Sequence, residues 1–308
     1  MNIIFMGTPD FAVPCLQRLI DDGHKVSAVF TQPDKPKGRG YKMVMPPVKE
    51  LALKYDIPVY QPQKVKNNEE VLKTIEDIAP DIIVVVAYGK ILPNSILEAP
   101  KLGCVNIHAS LLPEYRGAGP IQWSVIDGKK ETGVTSMFMG EGVDTGDMIL
   151  KMKTEIGEDE TSGELHDRLS EIGAECLGRT IKLFETDSVV REKQDDSLST
   201  HAPMLEKSMG KIDFTWDKQR LHNLVRGMSP WPGAYTHLNG KLLKIHKAKI
   251  ADGVSGNPGE LLDEKRFIVG CANGAIEFLE VQLEGAKRMS AQDFLRGKKL
   301  TKGFVFGE

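Results

Sequence analysis

The chain has 308 residues, 41% hydrophobic and 27% charged, with a formal net charge of −3; that length and composition suit a globular protein with two cores. No apolar run approaches the ~18 residues that span a bilayer, and the start of the chain lacks the basic flank and small-residue cleavage site of a signal peptide, so a cytoplasmic protein without membrane attachment is expected. Cys15, Cys104, Cys176 and Cys271 form no CxxC pair, so neither a zinc site nor a redox motif is indicated and free thiols are expected.

Residues 2–6 read as a buried strand. Gly7-Thr8-Pro9-Asp10 then opens a helix that runs to about Asp22 and stops at Gly23. A second strand is expected at 26–31, followed by a long loop, a helix over 47–55, a short strand at 58–60 and a helix over 69–79. Ile82-Ile83-Val84-Val85-Val86 is a β-branched run typical of a strand covered on both faces. Gly103 breaks the chain before a strand at 104–108, and residues 133–139 and 148–153 read as later strands. A long helix is expected over 162–185, with Ser162 as its cap. This alternation argues for a parallel, doubly wound α/β sheet. Periodicity then disappears between 187 and 207, where Arg191-Glu192-Lys193-Gln194-Asp195-Asp196 reads as a polar linker. A helix at 219–226 follows, then Ser229-Pro230-Trp231-Pro232-Gly233. Short alternating runs at 241–250, 267–272 and 275–281 lie between glycine-marked turns, the pattern of a small OB-like β-barrel. The expected division is a Rossmann-like domain over 1–188, a linker over 189–206 and a smaller β-barrel domain over 207–308.

Charge is unevenly spread. Residues 207–308 carry +6 and residues 1–206 carry −9. A basic domain beside an acidic one suggests a polyanionic partner for the basic part; ordinary surface charge is the alternative. Residues 33–49 hold five basic residues, Lys35, Lys37, Arg39, Lys42 and Lys49, against Asp34. This loop is long for a βα connection, and its charge and glycines suit an arm that closes on phosphate, a solvated loop being the plainer reading. In the second domain Lys241, Lys244, Lys247, Lys249, Arg288 and Arg296 are among the basic residues spread over several segments. Trp216 and Trp231 read as core or hinge residues, and His166 and His222 as structural or surface residues.

The strongest local signal is Asn106-Ile107-His108 followed by Ser110-Leu111-Leu112-Pro113-Glu114-Tyr115-Arg116-Gly117. Residues two apart on a strand point the same way, so Asn106 and His108 project together at the carboxyl end of a parallel strand, where open α/β sheets bind ligands. Asp144, in Gly142-Val143-Asp144-Thr145-Gly146, sits on a glycine-bracketed loop able to bring a carboxylate into the same cleft. An amide, an imidazole and a carboxylate suit acyl transfer to an amine: the amide donates to a developing oxyanion, the imidazole moves a proton and the carboxylate orients the imidazole. The plainer alternative is a core histidine and an unrelated turn aspartate. Gly7-Thr8-Pro9-Asp10 is not GxGxxG, and its proline removes a phosphate-binding N–H, so a tight strand-to-helix turn is the reading there.

Gly7-Thr8-Pro9-Asp10-Phe11, Asn106-Ile107-His108, Ser110-Leu111-Leu112-Pro113, Tyr115-Arg116-Gly117 and Asp144-Thr145-Gly146-Asp147 resemble the formyltransferase family that uses 10-formyltetrahydrofolate. Ser229-Pro230-Trp231-Pro232-Gly233-Ala234 and Met289-Ser290-Ala291-Gln292-Asp293-Phe294-Leu295 resemble the C-terminal domain of the branch of that family that acts on tRNA, and the resemblance covers nearly the whole chain. It implies transfer of a formyl group from 10-formyltetrahydrofolate to the α-amine of methionyl initiator tRNA, for translation initiation, by a monomer that needs no metal. It further implies that Asn106, His108 and Asp144 are catalytic. Ser110, Leu111, Leu112 and Pro113 would bind the folate with Ala87, Tyr88, Gly89 and Ile91, and Lys35, Lys37, Arg39 and Lys42 would contact tRNA. Two alternatives are a formyltransferase acting on a small amine, such as an amino-sugar nucleotide or glycinamide ribonucleotide, and a non-catalytic tRNA-binding protein. The first has no evident need for the basic loop, and the intact trio argues against the second.

Overall fold

The computed structural model describes residues 1–37 and 42–307. Its contacts gather into two compact units, one built from Met1–Gly117, Thr132–Thr154 and His166–His201, the other from Ala118–Glu131, Glu155–Leu165 and the chain from Ala202 onward. The second unit thus takes up two stretches that precede residue 188 in the chain.

The first unit begins with β1 (Asn2–Gly7), α1 (Val13–Asp21), β2 (Lys25–Phe30), the short strands β3 (Lys35–Lys37) and β4 (Lys42–Val44), α2 (Pro47–Lys54), β5 (Val59–Tyr60), α3 (Glu69–Ile78), β6 (Ile82–Val86), α4 (Asn94–Leu97), β7 (Cys104–His108) and β8 (Arg116–Gly117). Beyond α5 (Pro120–Ile126) come β9 (Glu131–Phe138), β10 (Met148–Glu155), α6 (Ser162–Glu185) and β11 (His201–Ala202). Among the described residues the main sheet runs β10-β9-β7-β6-β1-β2-β5. The members from β7 to β5 are parallel, while β9 is antiparallel to β7. Residues 3–6 and 82–86 are buried along their length, as expected of β-branched and aromatic strands covered on both faces. The chain leaves β1 for β2 and β5 on one side and returns to β6 on the other. The carboxyl ends of β1 and β6 therefore flank a topological switch point, where the crevice of such sheets opens.

Several local features differ from expectation. A 3-10 turn over Asp10–Ala12 precedes α1, while the Thr8 hydroxyl donates to Tyr88 O at 3.1 Å. The long loop contains a β-hairpin, β3 pairing β4 from Lys35↔Val44 to Lys37↔Lys42. Its base is fixed by Lys49 Nζ, which donates to both Asp34 carboxylate oxygens at 2.9 Å and to Gln61 Oε1 at 2.8 Å. The cap of α6 is Thr161 rather than Ser162. Thr161 Oγ1 accepts from Glu164 N at 3.2 Å and Glu164 Oε2 accepts from Thr161 N at 2.9 Å, a reciprocal capping box. The Ser162 hydroxyl donates instead to Ser229 O at 2.7 Å.

The second unit contains α7 (Lys218–Gly227), β12 (Ala234–Leu238), β13 (Lys241–Ile250), β14 (Leu261–Asp263), β15 (Ile268–Cys271), β16 (Gly274–Leu283), β17 (Met289–Ser290) and α8 (Ala291–Lys298). Where a small β-barrel is expected from the sequence, the strands form an antiparallel β domain, ordered β12-β13-β16-β15-β14 among the described residues, with β17 also on β16. Leu221, Leu224 and Val225 of α7 share its core with Phe267, Phe278 and Phe294. All four cysteines are buried and free. Burial raises each thiol, Cys104 to about 12, so none is poised as a nucleophile.

Candidate active site

Strand β7 carries the site because its side chains alternate. Asn106 and His108 lie on one face, and both neighbours fix their register: Asn106 pairs with Val85 of β6 and Met137 of β9, and His108 pairs with Thr135 of β9. His108 is only 6% exposed. Its Nε2 lies 2.9 Å from Tyr115 O; a carbonyl only accepts, so Nε2 carries the hydrogen and Nδ1 is the exchangeable nitrogen. Nδ1 is 3.6 Å from Asp144 Oδ2. That same oxygen accepts from Gly117 N–H at 2.9 Å, and Asp144 Oδ1 faces the Asn106 amide, Nδ2 to Oδ1 3.4 Å. Asp144 itself takes a left-handed backbone, φ 53°. The structure thus brings together the three side chains that the sequence singled out.

The two loops expected to hold the donor follow β6 and β7, neighbouring strands. In the first, Ala87 and Gly89 have positive φ, 47° and 75°. A Cβ on Gly89 would meet Gln32 Nε2 at 2.5 Å, since the Gln32 amide donates to the carbonyls of Tyr88 and Gly89 at 3.2 Å each. Tyr88 is 1% exposed, and burial pushes its phenol up to about 12; its carbonyl accepts from the Thr8 hydroxyl and the Gln32 amide. Ile91 is 79% exposed. In the second loop the buried Thr135 hydroxyl accepts from Leu112 N at 3.1 Å and donates to Ser110 O at 2.7 Å. Ser110 Oγ donates to Glu114 O at 2.6 Å, the Leu112–Pro113 peptide is cis, and Leu112 packs with Met137 and Met148. The Ser110 and Leu112 side chains therefore shape this loop, leaving Leu111 and Pro113 partly exposed.

Of the residues expected on tRNA, Lys35 is exposed at the start of the hairpin and donates to Gln32 Oε1 at 2.8 Å. Lys37 and Lys42 are backbone partners across it, and Arg39 lies outside the described residues. In the second unit Lys249, Arg288 and Arg296 pair with Glu277, Glu280 and Asp293, so part of the formal basic excess is neutralised locally. Trp216 borders the core with the Arg220 guanidinium over its ring, whereas Trp231 is 54% exposed and is no core residue. His222 is buried, its Nε2 3.1 Å from Asp159 Oδ1.

Sequence reasoning missed Gln194 and Thr135. Gln194 belongs to a run otherwise exposed to solvent, and nothing in its periodicity marks it. Thr135 is one of three hydroxyl residues in β9, with Thr132 and Ser136. Only the pairing of β7 with β9 puts it under the loop after β7.

The formyl transferase family model matches residues 1–181, and that of the formyl transferase C-terminal domain matches residues 204–299. The chain is 54% identical over 309 residues to the methionyl-tRNA formyltransferase of Geobacter metallireducens, covering all of this chain and 99% of the relative. It is 50% identical over 311 residues to that of Alkaliphilus oremlandii, covering both chains fully. The chain belongs to the methionyl-tRNA formyltransferase family. It is an enzyme of formyl transfer, in a family whose formyl donor is 10-formyltetrahydrofolate. Its fold is shared with the N-formyltransferase of Helicobacter canadensis, solved with folinic acid and dTDP-3-aminofucose. That likeness has a TM-score of 0.67 at 18% identity, over 90% of this chain and 98% of the other. No described helix is long and apolar enough to cross a membrane.

Proposed function

We propose that this chain formylates the α-amine of methionine esterified to initiator tRNA, with 10-formyltetrahydrofolate as donor and with Asn106, His108 and Asp144 carrying the step. The observation that carries the reading is the meeting of amide, imidazole and carboxylate at the carboxyl end of β7, in a chain 54% identical over its length to a methionyl-tRNA formyltransferase. The loops 87–91 and 110–113 fit the donor. They follow adjacent strands beside the switch point, and Ile91 offers an exposed apolar surface to a flat ring. When bound, the donor supplies a formyl carbon on a weakly basic nitrogen.

The chain's own groups then do three things. Asn106 Nδ2 donates to the oxygen that gains negative charge as the amine adds. His108 takes the proton released by the amine at Nδ1, because Nε2–H is committed to Tyr115 O, and gives it to the donor nitrogen as the formyl C–N bond breaks, so that tetrahydrofolate leaves and the ring returns to its neutral form. Asp144, held by Gly117 N–H, faces Nδ1 and orients the ring for that transfer. No protein nucleophile is needed, because the substrate amine attacks. In this reading residues 1–188 form the catalytic domain, 189–206 the linker and 207–308 the domain that helps hold tRNA. Lys35, Lys37, Arg39 and Lys42 meet the acceptor end, and the protein works as a cytoplasmic monomer.

The test is incubation of the protein with 10-formyltetrahydrofolate and methionine-charged initiator tRNA, followed by mass analysis of the aminoacyl group. Formylmethionine that appears with the native chain and not with His108→Ala is the expected result. Transfer to a small amine, with none to the tRNA, overturns the acceptor assignment. Binding of tRNA should also weaken steeply with salt, since each phosphate neutralised releases counterions.

A further inference from the structure

Gln194 is buried to 6% exposure in a run whose neighbours from Arg191 to Asp196 are all exposed. Its Nε2 donates to Asp144 O and to Gly146 O, both at 2.8 Å. Its Oε1 accepts from Arg116 Nε at 3.0 Å and Nη2 at 2.8 Å. Both hydrogens and both lone pairs of one amide are therefore in use. Arg116 Nη2 also donates to Asp196 Oδ1 at 2.7 Å.

The groups at the two ends of this amide belong to the site. The carbonyls form the turn that holds Asp144 at φ 53°, a conformation that a non-glycine residue keeps only where its surroundings impose it. Arg116 lies between Tyr115, whose carbonyl fixes His108 Nε2, and Gly117, whose N–H holds Asp144 Oδ2. One side chain thus ties the backbone that presents the carboxylate to the backbone that orients both the carboxylate and the imidazole. We infer that Gln194 is a positioning residue for the transfer: with Arg116 it clamps Asp144 in register with His108. This rests on the reading of Asn106, His108 and Asp144 as the catalytic set.

The experiment measures kcat, both KM values and the thermal midpoint for Gln194→Ala, Gln194→Glu and Asp144→Ala, and for Gln194→Ala combined with Asp144→Ala. Gln194→Ala should lower kcat by about 10²-fold, the cost of displacing a catalytic group by about 1 Å, with both KM values nearly unchanged. Gln194→Glu keeps a partner for Arg116 but faces the two carbonyls with an acceptor. It should lose kcat as severely when assayed well below its thermal midpoint, which separates positioning from general stability and carries the test where the alanine variant does not fold. In the Asp144→Ala background, Gln194→Ala should add no more than about a twofold effect, as coupled residues do.

Full kcat in Gln194→Ala beside an inactive Asp144→Ala overturns the clamp and leaves the catalytic set standing. So does full kcat in Gln194→Glu, or an additive loss in the double variant. Near-normal turnover in Asp144→Ala itself overturns the catalytic reading, and the clamp with it.

Discussion

Gly146→Ala is a sharp perturbation of the turn that carries Asp144. An added Cβ would fall well inside 3.0 Å of Phe138 O and 2.8 Å from the Phe138 carbonyl carbon. The obstacle is backbone at the end of β9, held there by Phe138 N–H to Asp147 O at 2.8 Å and Met139 N–H to Cys104 O at 2.8 Å. The sheet cannot yield cheaply, so the turn must retreat, by roughly 1 Å, which for a catalytic group costs about 10²-fold in rate, or about 2.7 kcal/mol of transition-state stabilisation. Overpacking should cost a further ~1–3 kcal/mol of folding stability. Gly140→Ala, at the start of the same loop, is the control, since a Cβ there meets nothing within 4 Å and its φ is not positive. Single-turnover formylation at saturating donor and tRNA gives the rate, and urea unfolding gives the stability. A Gly146→Ala protein whose rate stays within about threefold of the Gly140→Ala control would refute the argument that this turn sets the catalytic geometry.

Three further outcomes are expected. Thr135→Val leaves Leu112 N–H and Ser110 O without their buried partner. It should cost about 1–3 kcal/mol per group and raise KM for the formyl donor more than KM for tRNA; equal changes in both would count against the donor-loop assignment. Thr161→Ala removes the capping box of α6 and should lower stability by about 0.5–2 kcal/mol, read by urea unfolding, with kcat unchanged. His222 is held below the ordinary imidazole value of 6.5 by burial, against an opposing Asp159, and His246 likewise by burial, against its Gln282 hydrogen bond. A depressed folded value means that the unfolded chain binds protons first. The stability these rings contribute is therefore present above pH 6.5 and is lost as pH falls through their folded values. The urea midpoint of the native chain should fall from pH 7 to about pH 5, and the combined His222→Gln and His246→Gln variant should flatten that fall.

Much of this was legible because hydrophobic period and chain breaks coincide. Gly103 and the apolar run after it delimit β7 at Cys104–His108, and period two then places Asn106 beside His108. The long amphipathic pattern likewise gives α6 over Ser162–Glu185. What stayed hidden was decided by partners distant in the chain. Lys35-Pro36-Lys37 has little strand character of its own, and becomes β3 because Lys42–Val44 satisfies its backbone. Thr161 and Ser162 are adjacent hydroxyls, and only the reach of Glu164 decides which one caps. Gln194 meets Arg116 across 78 residues and Asp144 across 50, and no local pattern encodes either meeting.

The strand that carries Asn106 and His108 is laddered on both sides, to β6 and to β9, whereas Asp144 rides on a turn outside any strand. Small openings of a protein begin where few contacts are lost, at sheet edges and turns. Fraying of the edge strands β5 or β10 leaves the amide and the imidazole in place. Opening of the turn removes the carboxylate alone. Backbone amides of β7 should therefore exchange with solvent deuterium only on global unfolding, while those near Asp144 exchange through a smaller opening. On warming, the enzyme then passes through a range in which its sheet is intact and its catalytic set is incomplete, so turnover fades before the fold does.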